Sequence, residues 1–293
     1  MVRTRRSIDE EARVRLVSGP GTDAFLSDRP IAGQMEGELL DELFTWGTEV
    51  ARRALVVGLE DRGYIALELA RRGIFVTVVE PDESLHEPVK AAAEAEHFMI
   101  RMNFYASDYM KREFASSGFD LAVFYSVLSR YNEPLVVLKK AARELRAGGR
   151  VFARIRVRPP MDGVNKLVAP VIKMIDKVPG AAGVRQKVAD AFERLPVAVS
   201  VMALPESAEL LEDIAGVFKI ERHVQRHLIA PVVGWVGVQT KIPEFARNVV
   251  KRCLPAFVKA DKMVVKAAGG RPIANHLYIF GLKELGLGHT FRV

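Results

Sequence analysis

The strongest constraint in this sequence is a regular exchange of two hydrophobic periods between residues 54 and 157. "ALVVG" (54–58) is a short apolar run closed by glycine, the form of a strand buried on both faces. "GYIALELARRG" (63–73) repeats its apolar residues at helical spacing and stops at a glycine. "IFVTVVE" (74–80) is β-branched and ends in an acid, and "ESLHEPVKAAAEAE" (83–96) reads as a helix whose start Pro88 restricts. A strand within 97–108, a helix over about 109–117 and the strand "FDLAVFYSV" (119–127) follow. "EPLVVLKKAARELRAGG" (133–149) reads as an amphipathic helix with Pro134 in its first turn and a glycine stop. "RVFARIRV" (150–157) is the next strand. Strands and helices that alternate at this spacing form right-handed crossovers and a doubly wound, mostly parallel α/β sheet. Ligands of such sheets bind beyond the carboxyl ends of the strands, at the switch point. That brings residues 58–63, 80–82, 108 and 125–131 around one crevice.

The flanking sequence adds helices. Residues 1–50 form a helical extension, with a capping-box pattern at Ser7–Glu10 and helical spacing in "MEGELLDELFTWGTEVARR". Residues 51–293 form the sheet domain, with helical insertions at about 160–205 and 241–271. The stripe in 242–258 is expected to break at Pro255. Residues 206–229 read as a helix and a long strand, and "NHLYIFGLKE" (275–284) as a late strand.

Composition narrows the chemistry. One cysteine, Cys253, excludes an internal disulfide and a cysteine-cage metal site. Among the histidines, His223 and His227 would stand roughly 13 Å apart on a strand, too far to share an ion. No metal site is expected. No apolar run is long enough to span a bilayer, and the amino terminus lacks the apolar core of a signal peptide. A cytoplasmic setting is expected. The net charge of +7 is unevenly placed: between Lys241 and Arg271 eight basic residues face two acids. This segment suits an anionic partner, a lipid surface or RNA, or is a solvated helix face. Peripheral membrane association is therefore open, and the oligomeric state is not read.

Two cofactors suit a strand, glycine turn and helix with an acid ending the second strand: a dinucleotide and S-adenosylmethionine. Both offer ribose hydroxyls to Glu80, about twenty residues past Gly58. In "VVGLEDRG" (56–63), Gly58 and Gly63 keep the outer places of a three-glycine turn, and Glu60 stands at the middle one. A pyrophosphate there would meet Glu60 and Asp61, at about 4 kcal/mol per contact for ~4 Å and an effective dielectric of 20. Arg62 could offset part of that. S-adenosylmethionine brings an ammonium and a sulfonium, and acids then become compatible.

At this point the sequence resembles the class I S-adenosylmethionine-dependent methyltransferases, most strongly over about 52–157. "GYIALELARRGIFVTVVEPDE" is similar to the family's first helix and second strand. "FYASD" is similar to its third-strand end, and "FDLAVFYSVLSRYNEPLVVLKKAARELRAGGRVFARI" to its fourth and fifth strands with the "L-x-x-G-G" turn. "HLYIFGLKE" resembles its antiparallel seventh strand. The resemblance implies a seven-stranded sheet and methyl transfer to an acceptor. It implies that Gly58, Glu60 and Gly63 form the cofactor turn, that Glu80 binds ribose, and that Pro81 and Asp82 flank the adenine. Asp108 would meet the adenine amino group with Ala106 or Ser107 lining that side, and Tyr125 and Ser126 would lie beneath the methionine part. The family's usual acid on strand one is absent, with Val56 near its place. Plainer roles are open too: Asp108 as a helix cap, Tyr125 as core packing. A base is needed only if the acceptor must lose a proton, and Tyr131 and His223 are the candidates. The acceptor is expected to be an apolar or amphiphilic small molecule or lipid. RNA methylation, a non-catalytic methyltransferase-like binding protein and a dinucleotide oxidoreductase are the alternatives.

Overall fold

The computed structural model describes residues 29–157, 207–226, 244–267 and 276–284. Helix α1 (Arg29–Thr48) leads into strand β1 (Arg53–Val57), helix α2 (Tyr64–Arg71), strand β2 (Phe75–Val79), helix α3 (His86–Ala95) and strand β3 (Met102–Tyr105). Strand β4 (Phe119–Tyr125), helix α4 (Pro134–Glu144) and strand β5 (Leu145–Arg156) follow. Helix α5 (Ser207–Ala215), strand β6 (Lys219–Arg226), helix α6 (Glu244–Ala267) and strand β7 (His276–Leu282) complete the described chain. The capping-box pattern at 7–10 and the insertion at about 160–205 lie outside the described residues.

The seven strands form one sheet in the order β3-β2-β1-β4-β5-β7-β6. Pairing is parallel from β3 to β5, and β7 runs antiparallel to both β5 and β6. The expected doubly wound architecture is present. Strand β1 shows why: Ala54, Leu55, Val56 and Val57 are all buried because each face of the sheet carries helices. On one face Val56, Val123 and Phe152 pack with Leu43 and Phe44 of α1 and Leu254 of α6. On the other, Leu55, Phe124 and Ile279 pack with Val137 of α4 and Leu210 of α5.

Several element boundaries differ from expectation. Residues 109–117 hold only one turn of helix, at Tyr109–Lys111, started by the Asp108 carboxylate accepting from Met110 N at 3.0 Å. Helix α4 stops at Glu144, and "LRAGG" joins β5. Leu145 pairs with Phe119, while Gly148 N donates to Lys283 O and Lys283 N to Gly149 O, both at 2.8 Å. Pairing with β4 and with Lys283, just past β7, thus draws into the sheet a stretch that local spacing assigns to a helix end. Helix α6 runs unbroken through Pro255. The proline is on the exposed side, where water can satisfy the carbonyl that its ring leaves without a donor.

Acidic residues of α1, and Glu49 just after it, fasten the helix across the sheet. Glu36 pairs with Arg154 of β5 at 2.9 Å, Glu42 with Arg222 of β6, and Glu49 with Arg150 at 2.9 Å. Glu38 lies 2.6 Å from Lys262 of α6 and 3.6 Å from Arg226. One cation of the basic 241–271 segment, Lys262, is therefore used internally.

Candidate functional site

The carboxyl ends of β1, β2, β3 and β4 meet at one crevice. Its floor is Gly58, whose N–H donates to Val79 O at 2.9 Å and whose φ is 88°. A Cβ there would stand 2.9 Å from Val127 Cβ and 2.4 Å from Glu60 Oε2, so only glycine lets the turn approach the chain leaving β4. Gly63 has another task. With φ 75°, it starts α2, and a Cβ would stand 2.4 Å from Val89 Cγ2 of α3. It serves helix packing more than ligand approach.

The two acids of the turn separate. Asp61 is buried and folds back, its carboxylate accepting from Gly63 N at 2.9 Å and Ile65 N at 2.7 Å. It satisfies donors at the start of α2 and does not line the crevice. Glu60 does. Its side chain is 8% exposed, and Oε1 accepts from Arg130 Nη1 at 2.8 Å. Arg130 Nη1 also reaches Glu80 Oε2 at 3.3 Å. Glu80 is fully buried, with Oε2 accepting from Leu59 N at 3.2 Å and Oε1 from Asp82 N at 3.1 Å. The expected offsetting cation, Arg62, is exposed instead. Arg130 takes that part, and sequence reasoning missed it because it lies 70 residues from Glu60 and 50 from Glu80. Burial drives the Glu60 carboxyl up to about 7 against the pull of Arg130. For Arg130 burial acts downward, but the Glu60 and Glu80 carboxylates outweigh it and hold the guanidinium firmly protonated.

The far wall joins Asp108 to Tyr131, whose hydroxyl donates to Asp108 Oδ1 at 2.9 Å. Asp108 thus caps its turn and orients a phenol at once. Burial first, and the Asp108 charge second, raise the Tyr131 pKa well above its ordinary value. Tyr131 is therefore a held donor, which corrects its candidacy as a base. Ser107 Oγ is buried here with no partner among the described residues. Pro81 and Asp82 form an exposed rim, where Asp82 accepts from Ser84 N at 3.0 Å and Ser84 Oγ at 2.6 Å.

Tyr125 and Ser126 end β4, but their side chains turn under α1. Tyr125 Oη donates to Glu36 Oε2 at 2.5 Å, and Ser126 Oγ accepts from Arg154 Nη1. The core-packing reading suits Tyr125, which stacks on Phe152 at 6.5 Å. His223 is exposed on β6, paired with Ile279, and β5 and β7 lie between β6 and β4. The expectation that it projects near the crevice is not met. His227 lies outside the described residues. Among the described residues no group of His, Cys, Asp or Glu could hold a metal.

The donor set decides what the crevice can take. Two buried carboxylates share one guanidinium, and Glu60 Oε2 has no partner among the described residues. A pyrophosphate would add charge where an acceptor already lacks a donor. A nucleoside carrying positive charge fits, with ribose hydroxyls available to Glu80.

The comparisons agree with this chemistry. The family model described as "Methyltransferase domain" matches residues 56–153. No curated protein matches the sequence. Among solved structures, the cyclase SpnF shares 17% identity over 94% of this chain and 100% of its own, with a TM-score of 0.54. A geranyl diphosphate C-methyltransferase from Streptomyces coelicolor A3(2) shares 12% over 88% and 83%, with a TM-score of 0.54. A geranyl diphosphate methyltransferase in complex with SAM shares 14% over 86% and 85%, with a TM-score of 0.50. At such identities the likeness is one of fold, and the cyclase is a reminder that one fold hosts more than one chemistry. The glycine turn and the fourth strand lie inside the matched stretch, and the sheet has the seven strands expected, so residues 56–153 of the chain carry a methyltransferase domain.

Proposed function

We propose that this methyltransferase acts on an apolar or amphiphilic acceptor at an anionic lipid surface, to which α6 docks it. The observation that carries this reading is a row on the outer side of α6. Arg252, Lys259 and Lys266 are exposed at seven-residue intervals. Seven residues span about 10.5 Å of helix and two full turns, so the three cations share one face. No acid pairs with them among the described residues. Ala256 and Met263, the latter 65% exposed, interleave with them. Cations alternating with apolar groups suit the headgroup boundary of a membrane, at about 1 kcal/mol per basic residue near an anionic surface. The same row has no aromatic platform for bases, which disfavours RNA. No helix of the described residues is long and apolar enough to cross a membrane, so the association proposed is peripheral.

The bound cofactor supplies an activated methyl group on a sulfonium, already a good leaving group. The chain's own part is alignment and exclusion of water. In this reading Glu80 accepts from the ribose hydroxyls, and Asp108, steadied by Tyr131, accepts from the adenine amino group. Glu60 meets positive charge. Tyr131 keeps its proton throughout, so the acceptor is one that reacts without a phenolate base.

The test is co-sedimentation with vesicles of phosphatidylglycerol and phosphatidylcholine, beside pure phosphatidylcholine and a single-stranded RNA. Binding to the anionic vesicles alone is expected, lost at high salt and in Lys259→Glu with Arg252→Glu. Equal binding to both vesicles, or a preference for RNA, would remove the lipid reading. Labelled methyl groups should likewise be extracted into organic solvent from a reaction with whole lipid.

A further inference from the structure

We infer that Glu60 reads the positive charge of the cofactor and that Arg130 holds this charge's place when the crevice is without it, so that the site prefers S-adenosylmethionine to S-adenosylhomocysteine. The inference rests on the cofactor reading above and goes beyond it to discrimination between the cofactor and its spent product.

The charge balance of the crevice leads to this. Glu60 and Glu80 face one another across a single guanidinium, that of Arg130. Asp61 does not contribute, because its carboxylate is turned onto the start of α2. The neighbouring Asp82 is exposed and bound to Ser84. The His86 ring lies against the Glu80 main-chain carbonyl, 3.0 Å away, not against a carboxylate. With all three groups ionised the centre is short of one positive charge.

The hydrogen bonds are unbalanced in the same sense. Glu60 Oε2 is buried with no partner among the described residues, although Oε1 of the same carboxylate is bonded. Arg130 Nε is buried and unpartnered among the described residues as well, so the pair meets through one nitrogen and not as a two-bonded fork. Leaving a buried acceptor unmade is costly, and a ligand that supplies positive charge relieves it. The position adds to this: Glu60 Oε2 lies beside Gly58, over the floor of the cofactor turn.

S-adenosylmethionine carries an ammonium, a sulfonium and a carboxylate, a net +1. S-adenosylhomocysteine lacks the sulfonium charge and is neutral overall. A centre short of one positive charge separates the two, while hydrogen bonds to ribose and adenine do not. Arg130 supplies the competing charge from within the chain, so it sets how strongly the charged ligand must bind to enter.

Calorimetry at fixed ionic strength tests this with S-adenosylmethionine, S-adenosylhomocysteine and 5′-methylthioadenosine. The wild-type chain is expected to bind the first about tenfold tighter than the second, a preference of about 1.4 kcal/mol. Glu60→Gln is expected to bring the two within about threefold of each other while methylthioadenosine binds as before. Arg130→Gln is expected to tighten S-adenosylmethionine, with a thermal melt confirming that the variant is folded. Equal wild-type affinity for the two ligands, or an unchanged preference in Glu60→Gln, overturns the inference alone. Absence of adenosyl binding altogether overturns the cofactor reading with it.

Discussion

Arg154 Nε lies 2.9 Å from Glu36 Oε1, and both side chains are fully buried between α1 and the sheet. The pair joins residues 118 apart and is the centre of a polar cluster inside an apolar face. Tyr278 Oη lies 3.2 Å from Arg154 Nε, and Tyr125 donates to the other Glu36 oxygen. Burial above all, then the Glu36 charge, drives both phenols well above their usual range, so both remain donors. Such a pair has to repay the desolvation of both charges, and breaking it leaves one charge uncompensated.

Glu36→Gln should therefore cost about 3–5 kcal/mol in chemical denaturation, the range for removing one partner of a buried pair. Glu36→Leu combined with Arg154→Met should recover much of that loss. A loss under about 1 kcal/mol in the single variant would contradict a buried, intact pair.

The Glu60 carboxyl gives a pH signature. It ionises near 4.5 when unfolded and near 7 in the folded chain. Between those values the folded state holds the extra proton, so stability falls as pH rises. The contribution is fully present below 4.5 and gone above about 7. Against Glu60→Gln, the wild type should lose roughly 1–3 kcal/mol across this window, read from denaturation midpoints. The same ionisation should strengthen S-adenosylmethionine binding as pH rises from 6 to 8, with no such trend in the variant.

Tyr131→Phe removes the donor to Asp108 while keeping the ring. Adenosyl affinity should weaken by about three- to tenfold, the range of one hydrogen bond. The pH profile of methyl transfer should keep its shape, because the phenol does not titrate in the working range. A lost basic limb would restore Tyr131 as a base. His223→Ala, on the exposed edge strand, should leave binding and rate unchanged.

Gly58→Ala tests the floor. The added methyl group would press on Val127 Cβ at 2.9 Å, in a backbone conformation with φ 88°. Cofactor binding should be lost, with destabilisation of at least about 1–3 kcal/mol. A melt unchanged from wild type would mean that the turn is looser than its packing indicates.

Much of this was legible in the sequence, for a physical reason. Parallel strands buried on both faces are continuous apolar runs, so β1, β2 and β4 stand out, and the acid ending β2 marks the crevice. Reading failed where distant contacts override local preference. "LRAGG" looks like a helix end until β4 and Lys283 bond to it, and Pro255 looks like a break until its exposure is known. Spacing could not separate Asp61 from Glu60, since both carboxylates belong to one turn and only the fold turns one onto α2. Arg130 and Glu36 carry no motif. Their parts arise when the sheet closes and brings far segments together. The row on α6 was visible as a charge surplus, but which cations remain outside depended on Lys262 reaching Glu38.

The most direct test of the acid-lined crevice is calorimetry of S-adenosylmethionine and NADH with the wild type and Glu80→Ala. S-adenosylmethionine is expected to bind and NADH not to, and Glu80→Ala to weaken binding at least about tenfold, as loss of a buried carboxylate to ribose hydroxyls should. Absence of S-adenosylmethionine binding at millimolar concentration, or binding untouched by Glu80→Ala, would contradict it.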